Sequence, residues 1–240
     1  KYGGPDTVFK DWKVHGYVDM KEAIAVSSDE YFYQIGGGYM DQQGLGIARI
    51  DKYTKLFGFG TTTGIDLPSE NYGLVPTPEW KKETFGEDWI LGNTYHTSIG
   101  QYGFQITTLE LVRAIASIPN GGFLVTPHLF YETKTEKISL NLKEKDLKVI
   151  REGMRDGVLH GTGKVLNIRG VDIASKSGTA ELGITKKLVN SWISGYFPYE
   201  NPRYAFVVIM EKGDRNNMQG AVFAARETIE WMRDNTDYTK

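Results

Sequence analysis

The sequence predicts an α+β fold in which helices pack on a layer of antiparallel strands. Three successive strand patterns lie near the C-terminal end, at residues 171–181, 191–197 and 204–210. The connections between them are short and contain polar residues or proline, which favours antiparallel neighbours. An amphipathic helical stripe follows at residues 222–232, and other helical stripes precede the strands.

Composition limits the classes of function. The protein has 240 residues, 40% of them hydrophobic and 24% charged, which suffices for the core of one large or two small domains. Its net charge of −2 and the absence of long runs of like charge leave no basic surface, so no nucleic-acid partner is expected. The sequence contains no cysteine, which excludes disulfides, thiolate metal ligands and cysteine nucleophiles.

Helical periodicity is clear in parts of the first half of the chain. A helix is predicted to begin near Asp19, because the next apolar residues recur with the spacing of one helix face. A second helix is predicted at residues 47–57, where the Gly58-Phe59-Gly60 turn ends it. Residues 61–106 are rich in glycine, threonine, proline and aromatic residues, and are predicted to form loops with short strands.

The middle of the chain contains two more predicted helices. Thr107 and Glu110 form a capping-box pattern that opens one of them. The apolar stripe at residues 147–158 indicates another, amphipathic helix. The third strand pattern, at residues 204–210, is an unbroken apolar run, which predicts a strand covered on both faces.

The segment Ser175-Lys176-Ser177-Gly178-Thr179-Ala180, on the first of the three strands, is the strongest candidate for a binding site. A lysine beside two hydroxyls suits recognition of a carboxylate, and the period of two puts Ser177 and Thr179 on one face. Gly178 between them would let another backbone approach closely. The same alternation places the first atoms of the Lys176 side chain on the opposite face of the strand from Ser177 and Thr179. A solvated strand end is the alternative interpretation.

A second candidate is Ser27-Ser28-Asp29, which follows the helix that begins near Asp19. The structural interpretation is a capping Ser/Asp pair, in which Asp29 could cap a helix through residues 31–35. The catalytic interpretation needs these polar residues to meet others that lie far away in the sequence.

Together the two segments resemble a known set of motifs. The serine enzymes that react with penicillin contain Ser-x-x-Lys, Ser-x-Asn or Ser-x-Asp, and Lys-Ser/Thr-Gly. Ser27-Ser28-Asp29 matches the second motif, and Lys176-Ser177-Gly178-Thr179 matches the third. Further similar stretches lie at residues 11–16, 98–101, 161–163, 191–198 and 211–213. These stretches span nearly the whole chain. Their order is most similar to that in the elongation-type class B penicillin-binding proteins, the penicillin-binding protein 2 group.

This resemblance implies the fold shared by penicillin-binding proteins and serine β-lactamases, a mostly antiparallel sheet with helices on both faces. It implies a peptidoglycan DD-transpeptidase that transfers an acyl group from D-Ala-D-Ala stem peptides through a serine ester, and that β-lactams inhibit. No cofactor or metal is expected, and the four scattered histidines offer no metal-ligand pattern.

The resemblance also implies a role for each site residue. Ser27 would relay a proton, Asp29 would hydrogen-bond the substrate backbone, and Lys176 would supply positive potential beside Ser27. The substrate-binding residues would be Ser177, Gly178 and Thr179. In that group the two hydroxyls would bind the terminal carboxylate, and the Thr179 N–H would form half of the oxyanion hole.

Two features depart from the family pattern. No serine in the sequence has lysine three positions later, so the Ser-x-x-Lys nucleophile is expected upstream of Lys1. Residues 1–240 would then be the C-terminal part of one transpeptidase domain, incomplete on its N-terminal side and unable to form the acyl-enzyme alone. The family usually has Gly-Gln-Gly where this chain has Gly100-Gln101-Tyr102, so Gln101 is not expected to be catalytic.

The implied partners are peptidoglycan stem peptides, β-lactams, the upstream part of the same protein, a cell-wall polymerase and shape-determining scaffold proteins. The implied location is the periplasmic face of the inner membrane, with an N-terminal anchoring helix outside this sequence. Two alternatives stay open: a serine β-lactamase or DD-carboxypeptidase of the same fold, and a non-catalytic module that senses β-lactams or binds partners.

Overall fold

The computed structural model of the protein describes residues 8–183, 185–217 and 219–238. The helices are α1 Met20–Val26, α2 Asp29–Gly37, α3 Ile47–Leu56, α4 Pro78–Phe85, α5 Leu91–Ser98, α6 Thr108–Ala116, α7 Glu144–Leu159 and α8 Ala221–Asn235, with a short 3-10 helix at Lys164–Leu166. The strands are β1 Phe123–Val125, β2 Lys137–Ser139, β3 Ala174–Leu182, β4 Leu188–Phe197 and β5 Tyr204–Asp214.

The three long strands form one antiparallel sheet in the order β3-β4-β5, as the sequence predicts. In β4, Ile193 and Phe197 point to one face and join a buried cluster with Ala225 and Ile229 of α8. Tyr196 points to the other face and packs with helices α6 and α7. Helices therefore cover both faces of this sheet, and the α+β prediction is confirmed.

The prediction of loops with short strands for residues 61–106 misses two helices, α4 and α5, and is confirmed for the loops around them. Helix α4 begins with Thr77 as its cap and Pro78 as its first residue, and Gly86 ends it in a left-handed conformation. Both helices have eight residues, so neither repeats its apolar spacing often enough to mark a stripe. The threonine, proline and glycine that start and end α4 are also common in loops, which is why the composition of this region indicated loops.

Two strand predictions also need adjustment. Strand β3 begins at Ala174 and not at residue 171, because Val171 pairs with Ile168 in an isolated bridge. Strand β5 is less buried than its apolar run predicts, because it lies at an edge of the three-stranded sheet. Among the described residues, no helix is both long and apolar enough to span a membrane.

Candidate active site

The junction between α1 and α2 presents Ser27 and Asp29. Asp19 caps α1 by accepting a hydrogen bond from the Glu22 N–H at 2.8 Å. The helix ends in Ser27, whose φ of 58° lies in the left-handed region, where a residue other than glycine is strained. The next residue, Ser28, is extended and caps α2 through the Tyr31 N–H. The expected Ser/Asp capping pair is therefore confirmed as a cap, but the capping residue is Ser28 and not Asp29.

Ser28 takes the capping role because its hydroxyl, in an extended residue, meets the N–H three positions later. Asp29 is then the first residue of α2 and not its cap. The junction thus separates two tasks: Ser28 is buried and structural, while Ser27 and Asp29 are partly exposed.

A loop at Asp11-Trp12 holds this junction in place. The Asp11 carboxylate accepts hydrogen bonds from the Ser28 hydroxyl at 2.9 Å and the Glu30 N–H at 3.1 Å. The Trp12 indole N–H donates to the Ser27 carbonyl at 2.9 Å. The backbone of the Ser27-Ser28-Asp29 segment is therefore fixed from outside its own helices.

Lys176 connects the two sequence segments. Its Nζ donates to the Ser27 hydroxyl at 2.7 Å and to the Ser177 carbonyl, also at 2.7 Å. The stem does start on the opposite face from Ser177, as strand alternation requires. The lysine side chain is long enough to reach across the edge of β3, so its ammonium lies beside Ser27.

That strand edge has two donors along it. In an extended strand, a residue's N–H and C=O point to the same side, and residues two apart share that side. Lys176 binds the carbonyl of Ser177, and the Gln101 side-chain amide donates to the carbonyl of Thr179 at 3.0 Å. Because β3 is an edge strand, this side has no strand partner among the described residues. The Thr179 N–H therefore points out along the same open edge as the Lys176 ammonium.

Ser177 has a partner that sequence reasoning did not assign. Its hydroxyl donates to the Thr162 hydroxyl at 2.6 Å. Glycines flank Thr162 because the turn runs against its neighbours: a Cβ at Gly161 would lie 2.0 Å from the Ala25 carbonyl, and one at Gly163 would lie 2.6 Å from the Ser175 hydroxyl. In the sequence, the Gly161-Thr162-Gly163 pattern was the feature that could have indicated this close contact.

Residues 1–229 match the family described as the penicillin binding protein transpeptidase domain. The chain belongs to this family. The peptidoglycan D,D-transpeptidase MrdA of Acinetobacter baumannii is 35% identical over 236 residues, which cover 88% of this chain and 34% of that protein.

Two solved structures show the same fold. The penicillin-binding protein PBP2 of Helicobacter pylori, in complex with MreC, matches with a TM-score of 0.80 and 31% identity over 95% of this chain and 42% of that chain. A peptidoglycan synthase complex matches with a TM-score of 0.80 and 28% identity over 95% of this chain and 40% of that chain. This penicillin-binding-protein chain thus spans about a third of the length of its MrdA relative.

The charges at the site of this penicillin-binding-protein chain influence one another. Burial lowers the pKa of Lys176 to about 8, and the Asp29 carboxylate partly opposes that shift. Burial also raises the pKa of Asp29 to about 6, and the charge of Asp11 adds to this effect. Lys176 and His15 act in the opposite direction on Asp29. Near neutral pH, the site holds a protonated lysine that loses its proton more readily than an ordinary one.

Of the six predicted site residues, Ser27, Lys176 and Ser177 are connected directly by hydrogen bonds through Lys176. Asp29 acts on Lys176 through its charge. Thr179 is exposed at the open edge of β3 and binds Gln101. At Gly178, a Cβ would meet only the Trp192 Cβ, at an ordinary 3.5 Å, so no described backbone requires glycine there.

Sequence reasoning gave no role to Asp11, Thr162 or Gln101, which all contact the site. Asp11 lies 3.6 Å from the His15 ring nitrogen, and this pair is not part of a larger group of potential metal ligands. Over residues 8–183, 185–217 and 219–238, no set of three or more such side chains comes together.

Proposed function

We propose that this chain is the C-terminal part of the transpeptidase domain of a peptidoglycan DD-transpeptidase. The observation that carries the proposal is the 2.7 Å hydrogen bond from Lys176 to Ser27, which are 149 positions apart. This bond joins the two family motifs of the chain beside the open edge of β3. The match to the transpeptidase family and the names of its relatives support the reaction class.

In the proposed reaction, a serine from a Ser-x-x-Lys segment of the longer protein attacks the penultimate D-Ala carbonyl of a stem peptide. The peptide bond to the terminal D-Ala breaks, and the leaving amine takes a proton relayed through Ser27. The amine of a second stem peptide then attacks the ester, which releases the serine and forms the cross-link. β-Lactams would acylate the same serine.

The residues of this chain bind and orient the substrate. Lys176 supplies positive potential that attracts the anionic peptide, and it polarises the Ser27 hydroxyl. Ser177 and Thr179 bind the terminal carboxylate with their hydroxyls, and Gly178 leaves room for the peptide backbone. The N–H of Thr179 stabilises the oxyanion, a contribution of about 10²–10³ in rate for such a donor. Asp29 accepts a hydrogen bond from the substrate backbone.

The cellular setting is also a proposal. The Helicobacter pylori relative was solved with MreC, and another relative belongs to a peptidoglycan synthase complex. A shape-determining scaffold and a cell-wall polymerase are therefore the proposed partners of the full-length protein. The proposed location is the periplasmic face of the inner membrane, where peptidoglycan is built.

The test is covalent labelling of the full-length protein with a fluorescent penicillin. We expect a stable label in the wild type, and none within the same time in Lys176→Ala. The matched control is Lys148→Ala, which removes an exposed lysine on α7 and should label like the wild type. A normal acylation rate in Lys176→Ala would contradict the proposed role of Lys176.

The label and a peptide assay separate the alternatives. Rapid loss of the label by hydrolysis would favour a β-lactamase. Release of D-Ala from an added D-Ala-D-Ala stem peptide, without cross-linking, would favour a carboxypeptidase. The absence of any label at saturating penicillin would favour a non-catalytic module.

A further inference from the structure

Gln101 lies against the strand that carries the proposed carboxylate site. Its side-chain Nε2 donates to the Thr179 carbonyl at 3.0 Å, across 78 positions of sequence. Lys176 donates to the carbonyl of Ser177 on the same edge. Two side-chain donors thus bind the edge of β3 at the places where a neighbouring strand would otherwise donate.

The loop that presents Gln101 has a tightly constrained backbone. Gly100, Tyr102 and Gly103 all have positive φ, at 75°, 61° and 75°. The N–H of Gln101 also donates to the His96 carbonyl at 2.9 Å, which ties the loop to the end of α5. Left-handed residues on both sides of Gln101 therefore set the direction in which the chain enters and leaves it.

Aromatic packing fixes this loop. Tyr102 makes edge-to-face contacts with Trp80, at 6.2 Å between ring centroids, and with Trp89, at 5.6 Å. The backbone at Gly103 runs so close to Trp80 that a Cβ there would lie 2.4 Å from the ring. These contacts explain how tyrosine is tolerated at position 102, where its left-handed conformation favours glycine.

We propose that Gln101 is a positioning residue for acyl transfer. Its amide holds the Thr179 peptide, so that the Thr179 N–H and hydroxyl keep their alignment with Ser27 and Lys176. Gln101 acts through Thr179 and has no proton to exchange with the substrate, so it is not a catalytic residue. The inference rests on the proposed transpeptidase function and adds to it the element that orients β3.

Acylation kinetics of the full-length protein with a fluorescent penicillin test this role. Gln101→Met keeps the length of the side chain and removes the donor without adding charge, and Gln101→Glu removes the donor at nearly the same shape. Because small misalignments of reacting groups have large effects on rate, we expect the first-order acylation constant at saturating penicillin to fall about tenfold in both. The total label at long times should stay near the wild-type level, which shows that the folded fraction is unchanged.

The matched control is Gln105→Met, the same substitution at an exposed glutamine four positions away. Because surface substitutions have small effects, we expect an acylation constant within about twofold of the wild type. If Gln101→Met acylates as fast as the wild type, or faster, Gln101 does not position Thr179 and the inference is overturned. If the variant loses total label in step with its folded fraction while its rate constant is unchanged, the role is only structural, which also overturns it. A wild-type protein that never labels would overturn the proposed function and this inference with it.

Discussion

The hydroxyl of Ser27 lies 2.7 Å from the ammonium of Lys176, where α1 ends against the edge of β3. The left-handed conformation of Ser27 aims its side chain at the strand, and the hydrogen bonds of Asp11 and Trp12 hold the junction there. A proton on either group can pass to the other without any rearrangement of the backbone.

Ser27→Ala should lower the acylation rate of the full-length protein by about 10²-fold or more, because it removes the proposed proton relay. The fold should survive, since the hydrogen bonds of Asp11 and Trp12 that hold the junction do not use the Ser27 hydroxyl. Stopped-flow measurement with a fluorescent penicillin gives the rate, and Ser139→Ala, at an exposed serine in β2, is the control. Equal rates in Ser27→Ala and the wild type would rule out the relay.

Ser28→Ala should lower the free energy of unfolding by about 1–3 kcal/mol. The substitution removes the cap of α2 and leaves the Asp11 carboxylate without one of its donors. Urea unfolding of the wild type and the variant measures the difference. The comparison is Ser139→Ala, at an exposed serine in β2, and an equal loss in both variants would contradict the capping role of Ser28.

The acylation rate should fall as the pH rises through about 8. Burial lowers the pKa of Lys176 to about 8, so the ammonium that attracts the substrate is present below this pH and is lost above it. We expect a decrease of about tenfold per pH unit on the alkaline side. A rate that stays level up to pH 10 would contradict the combination of a lowered Lys176 pKa and a role for its charge in acylation.

Asp29→Asn should move that alkaline decrease to lower pH. The Asp29 carboxylate favours the protonated form of Lys176, so removing its charge lowers the pKa of the lysine further. The measurement is the pH profile of the acylation rate, with Asp146→Asn on the exposed side of α7 as the control. A shift to higher pH, or none, would contradict the electrostatic connection between Asp29 and Lys176.

Gly161→Ala should destabilise the protein by about 1–3 kcal/mol, because the added Cβ would lie 2.0 Å from the Ala25 carbonyl. The turn would move away from α1 and carry Thr162 away from Ser177. Gly213→Ala in β5 is the control, since its Cβ would lie 3.8 Å from the nearest atom given, the Val189 carbonyl. Thermal unfolding curves of both variants measure the effect. Similar stabilities would show that the turn accommodates a Cβ at position 161.

Periodicity predicted the elements with long or strongly marked patterns. The capping box of Thr107 and Glu110 begins α6 as expected, and the three successive strands pair antiparallel. The short helices α4 and α5 were missed, because eight residues give only about two turns of pattern. The cap of α2 was assigned to Asp29 when it belongs to Ser28, because both residues are common caps and only the backbone conformation separates them.

By itself, the sequence determined the fold class and the family, and it identified the two segments that meet at the candidate site, since these depend on residue types in a fixed order. Tertiary structure alone decided that the Lys176 ammonium meets Ser27, that Thr162 binds Ser177, and that Gln101 holds Thr179. These contacts join residues 15 to 149 positions apart, and they depend on how an edge strand, a helix junction and two glycine-lined turns come together in space. No local pattern records such distances, because the free energy that sets them comes from packing of the whole domain.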